Sequence, residues 1–439
     1  MTATFTIGTS PGETLPATFT GLSFEISSLP NTTYFSASNT AFVNMVKGLG
    51  QGIIRVGGNS ADKTGWTGAP RTAATATDSL TTSDVDRFFG FAAATGWKVM
   101  FALNLGTGSA AAAANEAAYI GQHYSSQLLC FEIGNEPDLY SRNGLRTTTY
   151  SYTSFRQQFE AYYDSVKAAV PAAVFSGPAA ADNTSGWVVP FAGDEASRIL
   201  LLTEHYYKMG PPTDTSVTIA NLLNGNTGIL NEAAAMAAAA TAHDLTYRIS
   251  ECNSVYDGGL TGVSNTFASA LWGLDYMFAL AEHGDAGVNF HGGGAGAYTP
   301  IAFSAGQFSA RPLYYGMLLF AQAAAGSLLT VTPAVADSLN CTAHAVLRGD
   351  GATLVVLINK DPVKNAFVTV SAGRRPSTAN VIRLSAPAVD STSGILLGGS
   401  AVDGNGNWAA SGATENAAIT GEGCTIRVPA ASAVLVTMH

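Results

Sequence analysis

Eight short, nearly continuous apolar runs alternate with amphipathic helical stretches between about residues 17 and 293. The runs cover residues 19–26, 52–57, 99–105, 128–133, 173–178, 200–207, 246–251 and 287–291. Helical patterns between them include residues 84–95, 154–169, 228–242 and 265–282. Strands that are apolar on both faces and separated by helices are typical of a parallel sheet covered on both sides. Eight such units predict a (β/α)8 barrel, whose usual length is about 250 residues.

A doubly wound parallel sheet is the alternative, but the Gly-rich phosphate loop that usually follows its first strand is missing. A last helix is predicted at 312–325. After this helix the sequence pattern changes to short strands with alternating polar and apolar residues, divided by turns rich in Gly, Asp, Asn and Pro. The predicted strands are 342–347, 353–358, 366–370, 380–384, 425–428 and 432–438. This pattern predicts a C-terminal antiparallel β-sandwich. We therefore expect a barrel at 16–326, a sandwich at 327–439, and an N-terminal strand within 1–15 that pairs with the sandwich.

Composition excludes several classes of function. Charged residues make up only 12% of the chain and the formal net charge is −10, so a nucleic-acid partner is not expected. No apolar run approaches the roughly 20 residues of a membrane span, so no membrane partner is expected either. No export signal is visible at the start of the sequence, yet the low charge content favours a secreted or periplasmic protein, with a cytoplasmic location as the alternative. A monomer is favoured.

The four cysteines, Cys130, Cys252, Cys341 and Cys424, follow no metal-ligand spacing. Buried reduced thiols are the expected state. A bond between Cys341 and Cys424, both in the C-terminal region, stays open.

Two of the predicted barrel strands end in a carboxylate. Glu136 follows the fourth strand and Glu251 ends the seventh, and these strands face each other across the barrel mouth, where barrel active sites lie. A pair of carboxyl groups flanking one bond is what glycoside hydrolysis requires: one protonates the leaving oxygen and the other attacks the anomeric carbon. Asn135 is suited to bond the sugar 2-hydroxyl. The alternative is that both residues only cap helices.

Six segments in matching order also resemble heparanase and the microbial β-glucuronidases of glycoside hydrolase family 79, over about residues 21–326. They are Arg-Val-Gly-Gly-Asn-Ser-Ala-Asp at 55–62, Ile-Gly-Asn-Glu-Pro-Asp at 133–138, Glu-His-Tyr-Tyr-Lys-Met-Gly at 204–210, Ser-Glu-Cys-Asn-Ser-Val-Tyr-Asp-Gly-Gly at 250–259, Asn-Thr-Phe-Ala-Ser-Ala-Leu-Trp-Gly-Leu-Asp at 265–275 and Gly-Gly-Gly-Ala-Gly-Ala-Tyr at 292–298. The resemblance implies a barrel with a sandwich, retention of configuration and no cofactor.

The resemblance also implies roles for individual residues. Glu136 is the implied general acid/base and Glu251 the implied nucleophile, to which Tyr207 donates a hydrogen bond. Residues implied to contact the sugar hydroxyls are Glu25 and Asn59. A pocket for the glucuronate carboxylate is implied at Tyr256, Gly258, Gly296 and Tyr298. This sequence has Asp257 and Ala297 inside those two loops, and an anion at Asp257 must point away from such a pocket.

Two further residues, Arg55 and His205, are supporting candidates. His205 and His291 lie at strand ends, but no third ligand appears at a suitable spacing, so a metal is not expected. Histidines that are structural, or that support a neighbouring site residue, are favoured. Arg55 is expected to brace the acidic mouth from a buried position.

The sequence therefore predicts a retaining exo-β-glucuronidase whose partner is a glucuronide-containing glycan or glycoside. An endo-acting enzyme of the heparanase type, or a related glycosidase acting on neutral sugars, is the nearest alternative. Only one cation, Lys208, follows the sixth strand, which favours small or weakly charged aglycones met by Tyr140, Tyr150 and Tyr152. A catalytically silent carbohydrate-binding protein is the alternative from another class.

Overall fold

A computed structural model describes residues 1–336, 338–411 and 415–439. Eight parallel strands close into a barrel in sequential order, which confirms the predicted (β/α)8 fold. The strands are β1 (Thr20–Glu25), β2 (Ile53–Gly57), β3 (Lys98–Leu103), β4 (Leu128–Ile133), β5 (Phe175–Ala180), β6 (Leu201–Met209), β7 (Thr246–Val255) and β8 (Val288–Gly292). The sequence pattern placed each strand within a few residues of these bounds, except that β6 and β7 run further toward the barrel mouth.

Nine α-helices are present in the described part of the chain. They are α1 (Thr40–Gly48), α2 (Thr82–Thr95), α3 (Ala110–Tyr124), α4 (Tyr152–Ala169), α5 (Val189–Glu195), α6 (Ile219–Leu223), α7 (Thr227–Ala242), α8 (Phe267–Ala281) and α9 (Pro312–Ala323). Local sequence defines the ends of α2: Thr81 and Asp84 form a reciprocal capping box, and Gly96 ends the helix in the left-handed region at φ 79°. Helix α8 differs, because 14 of its 15 residues are buried. A helix that is apolar on all sides must be covered on both sides, and α8 lies between the barrel and the C-terminal region.

The C-terminal region forms one large, mainly antiparallel sheet. Its long strands are Ser327–Val335, Cys341–Leu347, Thr353–Asn359, Ala366–Ser371, Ala379–Ser385, Gly423–Val428 and Ser432–Met438. The strand Ser327–Val335 was not predicted, because half of it is solvent-facing and lacks the apolar alternation. The sheet encloses its own core, which contains Phe5, Leu357, Val368 and Val436 from distant strands.

The chain's first strand, Thr2–Thr14, belongs to this sheet. It pairs antiparallel with Ser327–Val335 and parallel with Ala366–Ser371. This parallel pair is the departure from the predicted all-antiparallel arrangement, and it ties the two ends of the chain together.

All four cysteines lie in the described ranges and are free and buried. Cys341 and Cys424 therefore do not pair, and the sulfur nearest to Cys424 Sγ is Met438 Sδ at 3.8 Å. Within the described ranges, none of the helices combines the length and apolar character needed to cross a bilayer.

Candidate active site

Glu136 and Glu251 meet at the carboxyl end of the barrel. Their side chains are 12% and 8% exposed, so both are largely enclosed but open to the cleft. One carboxylate oxygen of each lies within 4.8 Å of the other. Retaining glycosidases hold their two carboxyl groups roughly 5–5.5 Å apart, whereas inverting enzymes need roughly 6.5–9.5 Å to admit a water. The geometry matches the shorter spacing.

The backbone beyond β4 aims Glu136 into the cleft. Gly134 and Glu136 both adopt the left-handed region, at φ 82° and 50°. A side chain at residue 134 would collide with the Tyr140 hydroxyl, which lies 2.6 Å from the position of a Cβ atom there. Non-glycine residues rarely occupy this region, and such conformations concentrate at functional sites.

Glu251 is held as a carboxylate. Arg55 Nη1 donates to its Oε2 at 2.7 Å and the Tyr207 hydroxyl donates to its Oε1 at 2.7 Å. Burial alone would raise the pKa of Glu251, but the charges of His291, His205 and Arg55, with the hydrogen bond from Tyr207, hold that pKa well below its ordinary value. An ionised carboxylate is the state that a nucleophile needs.

Arg55 is fully buried and joins three strands. Its Nε donates to Glu132 Oε2 at 2.7 Å, and its Nη2 donates to Asn135 Oδ1 at 2.8 Å. Although burial lowers the pKa of this guanidinium, Glu132 and Glu251 raise it to a net value above the ordinary one. The planar guanidinium group of Arg55 thereby orients both Glu251 and Asn135, the residue next to Glu136.

Glu132 is a site residue that sequence reasoning missed. It is buried in β4 beside Arg55, and its Oε1 accepts a hydrogen bond from Thr203 at 3.2 Å. The sequence contained a signal for it, since a charged residue inside an apolar strand predicts a buried carboxylate that needs a charged or hydrogen-bonding partner.

The two histidines lie one beside each carboxylate. Nδ1 of His205 is 3.0 Å from Glu136 Oε1, and its Nε2 is buried without a hydrogen-bond partner in the described residues. Nδ1 of His291 is 3.0 Å from Ser23 Oγ and 3.4 Å from Glu251 Oε2. Both histidines therefore belong to the site, although the sequence analysis carried only His205 forward.

Glu136, His205 and Glu251 are close enough to hold a metal ion. The Arg55 guanidinium at 2.7 Å from Glu251 already supplies the positive charge that a cation would supply, and it would repel one. The arrangement fits a pair of reacting carboxylates better than a ligand set.

The residues predicted to recognise the sugar surround this pair. Glu25 accepts the backbone amides of Asn59 at 3.1 Å and Ser60 at 2.8 Å. This turn requires Gly58, at φ 68°, because a Cβ atom there would lie 2.5 Å from the Glu25 carboxyl. The Asn59 side chain is exposed, and its Oδ1 lies 3.5 Å from Asn135 Nδ2, so both amides face the cleft.

Three tyrosines line the opposite side of the cleft. The Tyr207 ring lies 6.5 Å from that of Tyr256 and 6.2 Å from that of Tyr298, measured between centroids. Burial raises the pKa of Tyr207 and of Tyr298, and the charge of Glu251 raises both further, so both phenols stay protonated as donors. Asp257 is exposed, where water screens its charge.

The loops after β7 and β8 are joined to each other. The Ala297 amide donates to the Gly258 carbonyl at 3.0 Å, and the Gly296 amide donates to Gly293 at 3.3 Å. Arg311, which the sequence analysis did not single out, donates from Nη1 to the Gly296 carbonyl at 2.9 Å. The Gly296 amide is therefore engaged within its own loop, which leaves the phenols as the clearer candidates for binding a carboxylate.

The expectation that Tyr140, Tyr150 and Tyr152 meet the aglycone is wrong for Tyr140. This side chain is fully buried and packs on Tyr150 with 5.7 Å between ring centroids. Tyr152 donates from its hydroxyl to Asp194 on α5. Loop aromatics pack against each other when a neighbour is available, which residue type alone does not reveal.

Parts of the chain are similar in sequence to known glycoside hydrolases. Residues 343–435 match the model of the glycosyl hydrolase family 79 C-terminal beta domain. A β-glucuronidase of Aspergillus niger is 28% identical over 223 residues, which cover 44% of this chain and 40% of that protein. A β-glucuronidase of Neurospora crassa is 25% identical over 284 residues, which cover 53% and 48%. The chain thus spans less than half the length of either relative in the matched segments.

Solved structures show the same fold over the whole chain. A 4-O-α-L-rhamnosyl-β-D-glucuronidase of Fusarium oxysporum superposes with a TM-score of 0.83 and 22% identity, covering 99% of this chain and 100% of that one. A family 51 arabinofuranosidase of Xanthomonas axonopodis superposes with a TM-score of 0.74 and 17% identity, covering 100% of both chains. The architecture is thus that of the barrel glycoside hydrolases. Within that class, the match of residues 343–435 and the two sequence relatives support a place in glycoside hydrolase family 79.

Proposed function

We propose that this protein is a retaining exo-β-glucuronidase, which removes terminal β-linked glucuronic acid by double displacement. The observation that carries the proposal is the carboxylate pair: an ionised Glu251 with an oxygen within 4.8 Å of one from Glu136. Two proteins that are similar in sequence to parts of this chain are named β-glucuronidases, which supports the choice of sugar.

In the first step, Glu251 attacks the anomeric carbon from the face opposite the leaving group, while Glu136 gives its proton to the glycosidic oxygen. The aglycone leaves and a glycosyl ester forms on Glu251. Arg55 and Tyr207 hold the attacking carboxylate in one orientation, because each fixes a different oxygen of it.

In the second step, Glu136 has lost its proton and acts as a base toward a water molecule. The water attacks the anomeric carbon, the ester bond to Glu251 breaks, and the product keeps the β configuration. His205, at 3.0 Å from Glu136, maintains the orientation of that carboxyl group through both steps.

Exo action is supported by the loops beside the tyrosines. A hydrogen bond from the Ala297 amide to the Gly258 carbonyl joins the loops after β7 and β8 on that side. The cation after β6 is also engaged: Lys208 Nζ donates to the carbonyls of Asn224 at 2.6 Å and Gly225 at 3.1 Å. Such a surface offers little to a sulfated chain, which is the substrate type expected of the endo-acting alternative.

Proton NMR of the first product tests the mechanism. With an aryl β-glucuronide we expect the β-anomer before mutarotation, and an α-anomer appearing first would contradict double displacement. The matched aryl β-glucoside, β-xyloside and α-arabinoside test the sugar, and equal turnover of the glucoside would contradict the glucuronidase assignment.

A further inference from the structure

A second cavity, of about 290 Å³, opens at the carboxyl end of the barrel beside β2 and β3. We call it the rim pocket. Its walls come from the loop after β2, the loop after β3 and the start of α3, and include Gly65, Trp66, Asn104, Thr107 and Glu116. None of these residues belongs to the catalytic pair or its partners.

Glu116 is the unusual member of this pocket. It lies on the inner face of α3 and is 5% exposed. Within the described residues its carboxyl group has neither a hydrogen bond nor an ion pair, and burial raises its pKa to about 8. Its carboxyl oxygens are not among the fully buried unpartnered atoms and line the pocket, so they are free to bond a molecule that enters it.

The other polar groups of the pocket are already engaged. Asn104 Oδ1 accepts the amides of Thr107 at 2.9 Å and Gly108 at 3.0 Å. Ser109 Oγ caps α3 by accepting the amide of Ala112. Glu116 is therefore the side chain of the pocket with unused bonding capacity.

Trp66 forms a fixed aromatic wall. Its Nε1 donates to Asn115 Oδ1 at 2.7 Å, and its ring lies 5.8 Å from that of Tyr119. The side chain is half-buried, so part of the indole remains open to a ligand. An anchored aromatic surface opposite a few polar groups is the usual composition of a small-molecule site.

The charge, hydrogen-bonding groups and size of the pocket indicate which kind of ligand it can bind. No positively charged side chain lines the rim pocket in the described structure, so an anion has no partner there. A protonated carboxyl group can donate one hydrogen bond and accept others, which complements two neighbouring hydroxyl groups. The volume of about 290 Å³ lies at the lower limit of ligand pockets, so it suits a ligand of one ring. We propose that the rim pocket binds a single neutral sugar residue, with its hydroxyls on Glu116 and its apolar face on Trp66.

The rim pocket is joined to the catalytic cleft through Asp62. Its Oδ1 accepts the amides of Leu105 at 3.2 Å and Gly106 at 2.9 Å, and its Oδ2 accepts the amide of Asn135 at 3.0 Å. The loop that ends at Trp66 begins at Gly58 and Asn59 beside Glu25. A sugar in this pocket would thus keep a glycan next to the cleft, which goes beyond hydrolysis itself and does not depend on it.

Fluorescence titration of the full chain tests the site without any turnover. The probes are glucose, galactose, xylose and rhamnose, with glucosamine as a cationic comparison. We expect at least one neutral sugar to give a saturable change on the order of millimolar, and we expect Trp66→Phe to abolish it. Glu116→Leu should weaken binding about tenfold or more, because two hydrogen bonds are lost, while Glu116→Gln should stay within about threefold.

Two controls separate this site from the catalytic cleft. Tyr298→Phe should leave the Trp66 signal unchanged, and a melting curve should show that Glu116→Leu folds, since it removes an unpaired buried carboxyl group. No saturable signal from any neutral sugar, equal binding by Glu116→Leu and wild type, or binding of glucosamine alone would overturn the proposal. None of these results depends on whether the protein hydrolyses glucuronides.

Discussion

Two of the buried networks of the protein, each centred on one carboxylate, differ in how completely that carboxylate is bonded. In the mouth network, which comprises Glu251, Arg55, Glu132, Asn135 and Tyr207, Glu251 receives two hydrogen bonds, one on each oxygen. In the interdomain network, which comprises Asp275, Asn226, Thr342, His344 and Lys360, Asp275 receives four. A carboxylate offers about four acceptor positions. Asp275 is therefore saturated, whereas Glu251 keeps lone pairs free toward the cleft.

Electrostatics alone does not distinguish the two carboxylates. Burial would raise the pKa of each, yet neighbouring cationic groups hold the pKa of each well below its ordinary value: His291, His205 and Arg55 around Glu251, and Lys360 and His344 around Asp275. What differs is access. Asp275 on α8 is covered by the C-terminal sheet, so its bonds hold two domains together, whereas Glu251 faces an opening. A lowered pKa thus marks a site only when part of the carboxylate remains unbonded.

The largest expected difference between the two networks appears when the central carboxylate of each is removed. Glu251→Ala should reduce kcat about 10⁴-fold or more, because no nucleophile remains. Azide should restore turnover of an aryl glucuronide and yield the α-glycosyl azide. A Glu251→Ala variant that azide leaves inactive, with no azide adduct, would contradict the assignment of the nucleophile.

The matched change in the other network is Asp275→Asn. It should lower the free energy of unfolding by about 3–5 kcal/mol, because Lys360 and His344 lose their shared counter-charge. Chemical denaturation measures this loss, and kcat/KM measured well below the melting temperature should stay close to wild type. A large fall in kcat/KM without a fall in stability would contradict the division between the networks.

Arg55 tests how the mouth network keeps Glu251 ionised. Arg55→Met should reduce kcat/KM about 10²–10³-fold, since the nucleophile loses both a counter-charge and its orientation. The acid limb of the pH profile should also move to higher pH, because the pKa of Glu251 rises when a neighbouring cation is removed. Arg55→Lys keeps the charge and should shift this limb less. An unchanged acid limb in Arg55→Met would show that Arg55 acts only in packing.

Tyr298 extends the comparison to the tyrosine-lined side of the mouth. Tyr298→Phe should lower kcat/KM on an aryl glucuronide about ten- to a hundredfold, because a charge-assisted hydrogen bond to the sugar carboxylate is lost. Residual activity on the matched glucoside should change far less. Equal losses on both sugars would assign Tyr298 to packing.

The smallest effect concerns the pH dependence of the interdomain network. Burial alone would lower the pKa of His344, but Glu282 and Asp275 raise it to about 9 from 6.5. A raised pKa means that the protonated form stabilises the fold fully below pH 6.5, and that this contribution is lost as the pH rises through about 9. The advantage of wild type over His344→Gln should therefore shrink by about 1–2 kcal/mol between pH 6 and pH 9.5, discounted because Glu282 is about a third exposed. An advantage that does not change with pH would rule out a charged His344.

Periodicity alone was sufficient to predict the barrel. Strands that are apolar on both faces repeat with helices between them, and only a few closed parallel architectures accommodate eight such units. The same spacing placed Glu136 and Glu251 at the ends of facing strands, since position along a barrel strand determines which end of the barrel a residue occupies. The strand Ser327–Val335 was not predicted, because most of its residues are exposed or half-buried and give little apolar alternation. The parallel pairing of Thr2–Thr14 was not predicted, because alternation along one strand does not specify the direction of its partner.

Only the tertiary structure decided which partners these residues have. The bonds from Arg55 to Glu132, from His205 to Glu136 and from Asp275 to Lys360 join residues 77, 69 and 85 positions apart. The burial of Tyr140 and the separation of Cys341 from Cys424 were likewise not visible in the sequence. A local pattern records which face of an element is apolar, because that depends on a residue's own chemistry. The number of bonds that a buried carboxylate receives depends on what the whole fold brings against it, and that number distinguishes Glu251, which keeps lone pairs free, from the saturated Asp275.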